Sequence, residues 1–268
     1  MKQYYFISGL PRSGSTLLSA ILRQNPDFYA DIASPVEAIA GKSIELITNH
    51  EVNFVYAEEQ RKNLLYGVFE GYYQHIEKPV IFDSSRSWTK KTNVLQALFP
   101  YTKILCPVRD TVSIINSFEV LLNKNCFYTK KIGDKVFSEN VFNRTEEIFE
   151  KFLLKCNLYL KEGYTLNPEM IYFIEYENLC KEPEKTIRGV YEFLEKPYYS
   201  HDFENVDYSN EIFDNACNAK DLHTVRRKVK YKPPRIILPP EIVQEYKDMK
   251  MEFWRKNNKM NSDIVEYK

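Results

Sequence analysis

Short apolar runs alternate along this chain with longer stretches in which apolar residues recur every three or four positions. Tyr4-Tyr5-Phe6-Ile7-Ser8 is apolar, β-prone and bounded by Gly9 and Pro11, which predicts a buried strand. From Ser15 to Gln24, Leu17, Leu18, Ile21 and Leu22 fall at helical spacing, and Asn25-Pro26 ends the pattern. Further helices are predicted over 35–47, 58–75, 92–99, 110–122, 142–162, 183–194 and 240–256. Strands are predicted over 79–82, 103–108 and 171–174, ending at Asp83, at Arg109 and near Tyr176. Residues 123–140 read as polar and irregular, with a hairpin around Gly133-Asp134, and 196–209 read as loop. Strands that alternate with helices imply parallel βαβ units with right-handed crossovers. The expected fold is three-layer α/β, a central parallel sheet of four to five strands flanked by helices. With no repeat or linker in sight, residues 1–268 are expected to form a single domain. Ligands of such sheets sit outside the carboxyl ends of the strands. The Ser8–Thr16 loop, Asp83, Arg109 and Tyr176 occupy those ends.

Charge and cysteine usage narrow the function classes. The chain has 37 Lys plus Arg against 37 Asp plus Glu, a formal net charge of zero. That argues against a protein built to coat nucleic acid or anionic membrane. No apolar run approaches the roughly 18 residues of a transmembrane helix, and the first residues lack a signal-peptide pattern. The five cysteines, Cys106, Cys126, Cys156, Cys180 and Cys217, form no C-x-x-C pair, so a reducing cytoplasm is expected rather than a disulfide framework. The four histidines show no H-x-x-x-H spacing, and no metal site is expected. Glycine is scarce at 8, so Gly9 and Gly14 near the start need a reason.

That reason is chemical. Gly9-Leu10-Pro11-Arg12-Ser13-Gly14-Ser15-Thr16 lies between a predicted strand and a predicted helix. Backbone N–H groups freed by such a turn form a nest for phosphate or sulfate oxygens. The frame is the G-x-x-x-x-G of a nucleotide P-loop, but Ser15 stands where that motif carries Lys, and Arg12 is the one cation in the loop. An anion held by an arginine fork and amides fits better than Mg²⁺-dependent NTP hydrolysis. Arg109 offers a second fork at a strand end, and Ser117 lies two turns into the following helix. An ion pair of Arg109 with Asp110 is the plainer alternative. The run from His223 through Arg226 and Arg227 to Lys232 is basic, and reads as a solvated loop, an anion lid or a nucleic-acid contact.

The stretch from Gly9 to Leu18 resembles the 5′-phosphosulfate loop of the P-loop sulfotransferases, which transfer the sulfuryl group of 3′-phosphoadenosine-5′-phosphosulfate (PAPS). Its Arg-Ser-Gly form is similar to tyrosylprotein sulfotransferases and bacterial members. Val108-Arg109-Asp110 followed by Ser117 resembles the family's 3′-phosphate motif, and Glu175-Tyr176-Glu177-Asn178-Leu179 resembles the segment whose tyrosine approaches adenine. The resemblance implies PAPS as co-substrate without a required metal. It assigns binding to Pro11, Arg12, Ser13, Gly14, Ser15, Thr16, Leu17, Arg109, Ser117, Tyr176, Arg226 and Arg227. The acceptor would be a hydroxyl or amine of a small molecule, glycan, lipid or peptide. Arg12 would stabilise charge on the leaving phosphate. The proton acceptor does not carry over. Ala33 stands at the position of the glutamate base, and Asp83-Ser84-Ser85-Arg86-Ser87-Trp88 has no histidine after the second predicted strand. Asp83 is the first candidate, Glu37 the second, with Asp31 nearby. Two other classes stay open: a nucleotide kinase or NTPase of related P-loop fold, and a non-catalytic nucleotide- or RNA-binding protein using Arg226 to Arg235.

Overall fold

The computed structural model of the chain describes residues 2–256 except 50, 52, 125–129, 209–213, 216, 218, 220 and 221; Cys126 and Ser209 lie outside the described residues. Strands β1 (Gln3–Ile7), β2 (Phe28–Ala30), β3 (Val80–Ser84), β4 (Ile104–Val108) and β7 (Ile171–Glu175) pair in the order β2-β3-β1-β4-β7. Every pairing is parallel, and Ile7 lies opposite Ser84 as Val108 lies opposite Glu175. This register brings the carboxyl ends of β1, β3, β4 and β7 to one edge of the sheet. A separate antiparallel hairpin, β5 (Lys131–Ile132) and β6 (Lys135–Val136), turns at Gly133 with φ 61°, as the sequence predicts.

Helices cover both faces: α1 (Ser15–Leu22), α2 (Val36–Ile47), α3 (Glu58–Tyr72), α4 (Thr92–Leu98), α5 (Thr111–Lys124), α6 (Val141–Ile148), α7 (Lys155–Leu166), α8 (Tyr176–Lys181), α9 (Pro183–Phe193) and α10 (Pro240–Asp248). Successive β1 side chains point to opposite faces. Tyr4 and Phe6 therefore join one core with Phe69, Trp88 and Phe173, while Tyr5 and Ile7 join the other with Leu18, Phe82 and Tyr191. A large apolar side chain fully buried in this way contributes about 1.5–3 kcal/mol. Burial on both faces explains why the strands read as continuous apolar runs rather than alternating ones. No described helix is long and apolar enough to cross a membrane.

Several boundaries differ from expectation. β2 is too short to give a periodic signal, and α8 is a brief helix closed at Glu182 before Pro183. β3 runs on to Ser84, so Asp83 sits inside the strand rather than beyond its end. The long helix predicted over 142–162 is α6 and α7 joined by a π-helical turn at Phe149–Leu154. The last helix stops at Asp248, because Lys250 turns to φ 47°, and Phe253–Lys256 is a separate 3-10 turn.

Candidate functional site

After β1 the chain stays paired to β4: Leu10 N–H donates to the Pro107 carbonyl at 2.8 Å. At Gly9 this approach leaves no room for a side chain, since an added Cβ would stand 2.1 Å from that same oxygen. Gly14 has φ 91°, and a Cβ there would press within 2.8 Å of the Tyr176 ring. Arg12 adopts φ 57°, a left-handed conformation costing a non-glycine residue about 1–3 kcal/mol. The buried Ser13 hydroxyl lies 2.8 Å from the Pro107 carbonyl and also reaches that of Leu10, stapling the loop from within. Ser13 therefore faces the core, and only its backbone can meet a ligand. Gly14 caps α1 with no side-chain hydrogen bond, so the amides of the first turn are left for an external acceptor. Ser15 and Thr16 are part-exposed beside them; Pro11 is buried, and Leu17 packs against the second core.

The arginines crowd this loop. Arg12 Nε donates to Ser117 Oγ at 3.1 Å, and its Nη1 donates to the Leu222 carbonyl at 2.7 Å. Arg109 stacks on Tyr176 at 4.3 Å from the ring centre, and its Nη1 reaches the Arg12 carbonyl at 3.4 Å. Its Nε lies 3.7 Å from Glu177 Oε1, too far for a hydrogen bond, and neither atom has a hydrogen-bond partner among the described residues. Burial, with Arg109 and Arg86 close by, pulls the Arg12 guanidinium down to about 10. Burial pushes Glu177 up to about 7; Arg109 opposes the shift, and Asp110 and Glu175 add to it. Tyr176 is likewise pushed up to about 12, chiefly by burial. Like charges held this close in a partly dry site disfavour one another, and an incoming multivalent anion relieves them.

Ser117 meets Arg12 directly, so the loop and the Arg109/Ser117 region, read separately from sequence, are continuous. Arg226 and Arg227 are both exposed. Burial pushes the Cys180 thiol on α8 up to about 11, and Arg226 is near enough to oppose that rise slightly, whereas the Arg227 carbonyl is tied to Val206 N–H at 2.7 Å.

The carboxylates proposed from sequence are occupied. Asp83 is fully buried and accepts from Trp88 Nε1 and Tyr73 OH, each at 2.6 Å, and from Ser34 Oγ at 2.5 Å. Burial raises its pKa against the pull of those three donors. Asp83 anchors the β3 end to α3 and the 34–36 turn, which argues against it as the proton acceptor. Glu37 pairs with Lys91 and lies 3.6 Å from Lys90. Asp31 accepts from Tyr208 OH at 2.6 Å and from Ile32 N–H at 2.8 Å. Ala33 is exposed and offers no group. The sequence singles out His223 as the one histidine beside a proposed ligand segment, but neither Glu177 beside Arg109 nor the partner of His223: His223 Nδ1 lies 2.6 Å from Asp214 Oδ1, and His223 N–H donates to Asp214 Oδ2 at 3.0 Å. Nothing in the spacing of Asp214 and His223, nine residues apart, signals this pairing.

Known proteins fit the same picture. A Caenorhabditis briggsae protein provisionally named protein-tyrosine sulfotransferase is 22% identical over 239 residues, covering 82% of this chain and 80% of its own length. The sulfotransferase domain of the Synechococcus PCC 7002 olefin synthase is 18% identical and superposes with a TM-score of 0.51 over 93% of this chain and 96% of its own. The mouse sulfotransferase SULT7A1, solved in complex with PAP, is 14% identical and superposes with a TM-score of 0.51 over 95% of this chain and 85% of its own. The profile of the sulfotransferase family matches residues 5–200, from β1 through the loop and both arginines to α9, and on that match the chain belongs to the sulfotransferase family.

Proposed function

We propose that this chain is a single-domain enzyme that moves the sulfuryl group of PAPS to a hydroxyl or amine acceptor. The observation that carries the reading is the convergence of Arg12 and Arg109 on the Gly9–Thr16 loop at the carboxyl edge of the sheet, with Ser15 where an NTP-hydrolysing loop needs Lys. In this reading the amides of Gly14, Ser15 and Thr16 and the Arg12 guanidinium hold the 5′ side of the nucleotide. Arg109, Ser117 and Arg226 face the 3′-phosphate, with Arg227 at its rim. Tyr176, already stacked on Arg109, borders the adenine; Pro11, Ser13 and Leu17 fix the loop that presents these groups. PAPS supplies an activated sulfuryl group when bound. The chain's part is to align the acceptor in line and to stabilise charge on the departing phosphate, as in phosphoryl transfer. The C. briggsae relative's name places a tyrosyl hydroxyl among the acceptors to assay, beside alcohols of glycans, lipids and small molecules.

The test is transfer of labelled sulfuryl from PAPS in excess EDTA, run beside ATP with Mg²⁺. Transfer is expected to persist in the chelator. Activity that vanishes with EDTA and returns with Mg²⁺, or phosphoryl transfer from ATP, supports the kinase alternative instead.

Glu177 supplies a second expectation. Its pKa of about 7 lies beside Arg109, so an anion bound there competes with the ionised carboxylate. Binding of 3′,5′-adenosine bisphosphate should therefore draw a proton onto Glu177, and affinity should rise as pH falls through about 7. Calorimetry in buffers of different ionisation enthalpy reads that uptake directly. Glu177→Gln should lose it, leaving only the contribution of the phosphates, whose second pKa is about 6. Equal proton uptake in both proteins would show that Glu177 does not titrate against the ligand.

A further inference from the structure

The turn after β3 sets a third arginine beside the phosphate loop. Ser85 N–H donates to the Ile7 carbonyl at 3.1 Å, and Thr89 N–H donates to Ser8 Oγ at 3.2 Å. Residues 85–89 are thereby stapled to the end of β1, where the loop begins. Trp88, fully buried and bonded to Asp83, anchors the same turn in the core. Arg86 lies between these anchors and is exposed. Burial lowers the pKa of Arg12 and raises those of Cys156 on α7 and Cys217; Arg86 is close enough to add to the first shift and oppose the other two. Helix α7 closes the other side of this cleft. Its Gly163 sits so tightly on the Thr89 carbonyl that an added Cβ would lie 2.3 Å from the oxygen. From α7 the half-buried ring of Tyr159 has Lys90 Nζ 5.2 Å and Lys155 Nζ 5.7 Å from its centre.

Cations outnumber carboxylates here. Glu37 is shared by Lys91 and Lys90, and Asp214 is held by His223. Arg12 is engaged by Ser117 and the Leu222 carbonyl. Arg86 makes no hydrogen bond or ion pair with any described residue, and Lys155 has no carboxylate partner among them. In a chain of zero formal net charge, a positive surplus gathered in one cleft favours an anionic ligand. The sheet order separates that ligand from the nucleotide. Arg109 and Tyr176 follow β4 and β7, on one side of β1, whereas Arg86 follows β3, on the other. A guanidinium with open donors matches a planar carboxylate, which it can hold through two parallel hydrogen bonds. We propose that the acceptor is a hydroxy acid whose carboxylate pairs with Arg86 while its hydroxyl faces the sulfuryl group, an inference that rests on the sulfotransferase reading above. Lys90 and Lys155 add to the field that draws the carboxylate in. Arg86 is a specificity residue in this scheme: it selects and orients the acceptor and takes no part in bond making.

The experiment compares para-hydroxymethylbenzoate, benzyl alcohol and para-aminomethylbenzyl alcohol as acceptors, in native protein, Arg86→Met and Arg86→Glu. The three share a primary hydroxyl and differ in charge. Native protein is expected to favour the benzoate over benzyl alcohol about tenfold in kcat/KM, and to use the amine least. Arg86→Met should lower the benzoate to the level of the alcohol and change the alcohol little. Arg86→Glu should reverse the order and favour the amine. Arg86→Lys keeps the charge without the fork and should keep part of the preference. Added salt should shrink the native preference. Binding is read without turnover: saturation-transfer NMR in excess 3′,5′-adenosine bisphosphate should detect the benzoate on native protein and lose it in Arg86→Met. Calorimetry should find the bisphosphate bound nearly equally by both, which also shows that the variant is folded. Equal use of benzoate and alcohol by native protein, equal losses with both in Arg86→Met, or displacement of the benzoate by the bisphosphate would each overturn the proposal. So would a native protein that binds the bisphosphate but not the benzoate. Failure of native protein to bind the bisphosphate refutes the nucleotide reading instead, while benzoate binding to native protein against Arg86→Met still judges the carboxylate site.

Discussion

Arg12→Ala should lower kcat by about 10²–10³ while raising the KM for PAPS far less. The side chain stands at the head of the phosphate loop, between Ser117 and the Leu222 carbonyl, with Arg109 and Arg86 close enough to depress its own pKa. A guanidinium kept charged against such neighbours gains most when negative charge grows in front of it. That charge grows as the sulfur–oxygen bond to the 5′-phosphate breaks, so its loss falls on the transition state more than on the bound ground state. Alanine keeps a Cβ at the φ of 57°, so the backbone strain of the loop is carried unchanged into the variant and does not confound the comparison. Arg12→Lys retains charge without the fork and should recover part of the rate. Steady-state kinetics with PAPS varied at fixed acceptor makes the measurement. A rise in KM with kcat preserved would recast Arg12 as a binding residue only.

Arg109→Ala should remove most of the preference for 3′,5′-adenosine bisphosphate over AMP, a loss of about ten- to a hundredfold in affinity for the bisphosphate alone. AMP carries only the 5′-phosphate and should be nearly unaffected, because the Gly9–Thr16 loop keeps its own hydrogen bonds to β4. The substitution has two further consequences. Tyr176 loses the cation stacked on it at 4.3 Å, and the buried Glu177 loses the guanidinium that opposes its raised pKa. Glu177 should then titrate above about 7 and take its proton at neutral pH, which limits the destabilisation to less than that of a stranded buried charge. Parallel titrations of AMP and the bisphosphate into native and variant protein read the effect. Equal affinity for the two nucleotides in native protein would remove the 3′-phosphate assignment from Arg109.

What the sequence discloses and what it hides follow from the range of the interactions. Buried strands and amphipathic helices announce themselves through periodicity, so β1, β3, β4 and β7 and most helices are legible, as is the loop between β1 and α1. The three residues of β2 and the short α8 carry too few positions for a period to emerge. Asp83 reads as a strand-end group because β3 is judged two residues too short; its enclosure by Trp88, Tyr73 and Ser34 depends on contacts from three separate segments. Gly9 and Gly14 are conspicuous by scarcity, yet the reasons for them, the Pro107 carbonyl and the Tyr176 ring, come from other strands' ends. The same holds for Glu177 and for Asp214 with His223. A residue type and a position can nominate Arg12 and Arg109, but the company they keep is settled only when β4, α8 and the segment around Leu222 meet.

The most direct measurement of the central claim is a calorimetric titration of 3′,5′-adenosine bisphosphate, ADP and ATP into native protein, with and without Mg²⁺. The arginines around the loop predict that the bisphosphate binds at least about tenfold tighter than ADP or ATP, and equally well in EDTA. ATP binding more tightly than the bisphosphate, and only with Mg²⁺, would contradict the account.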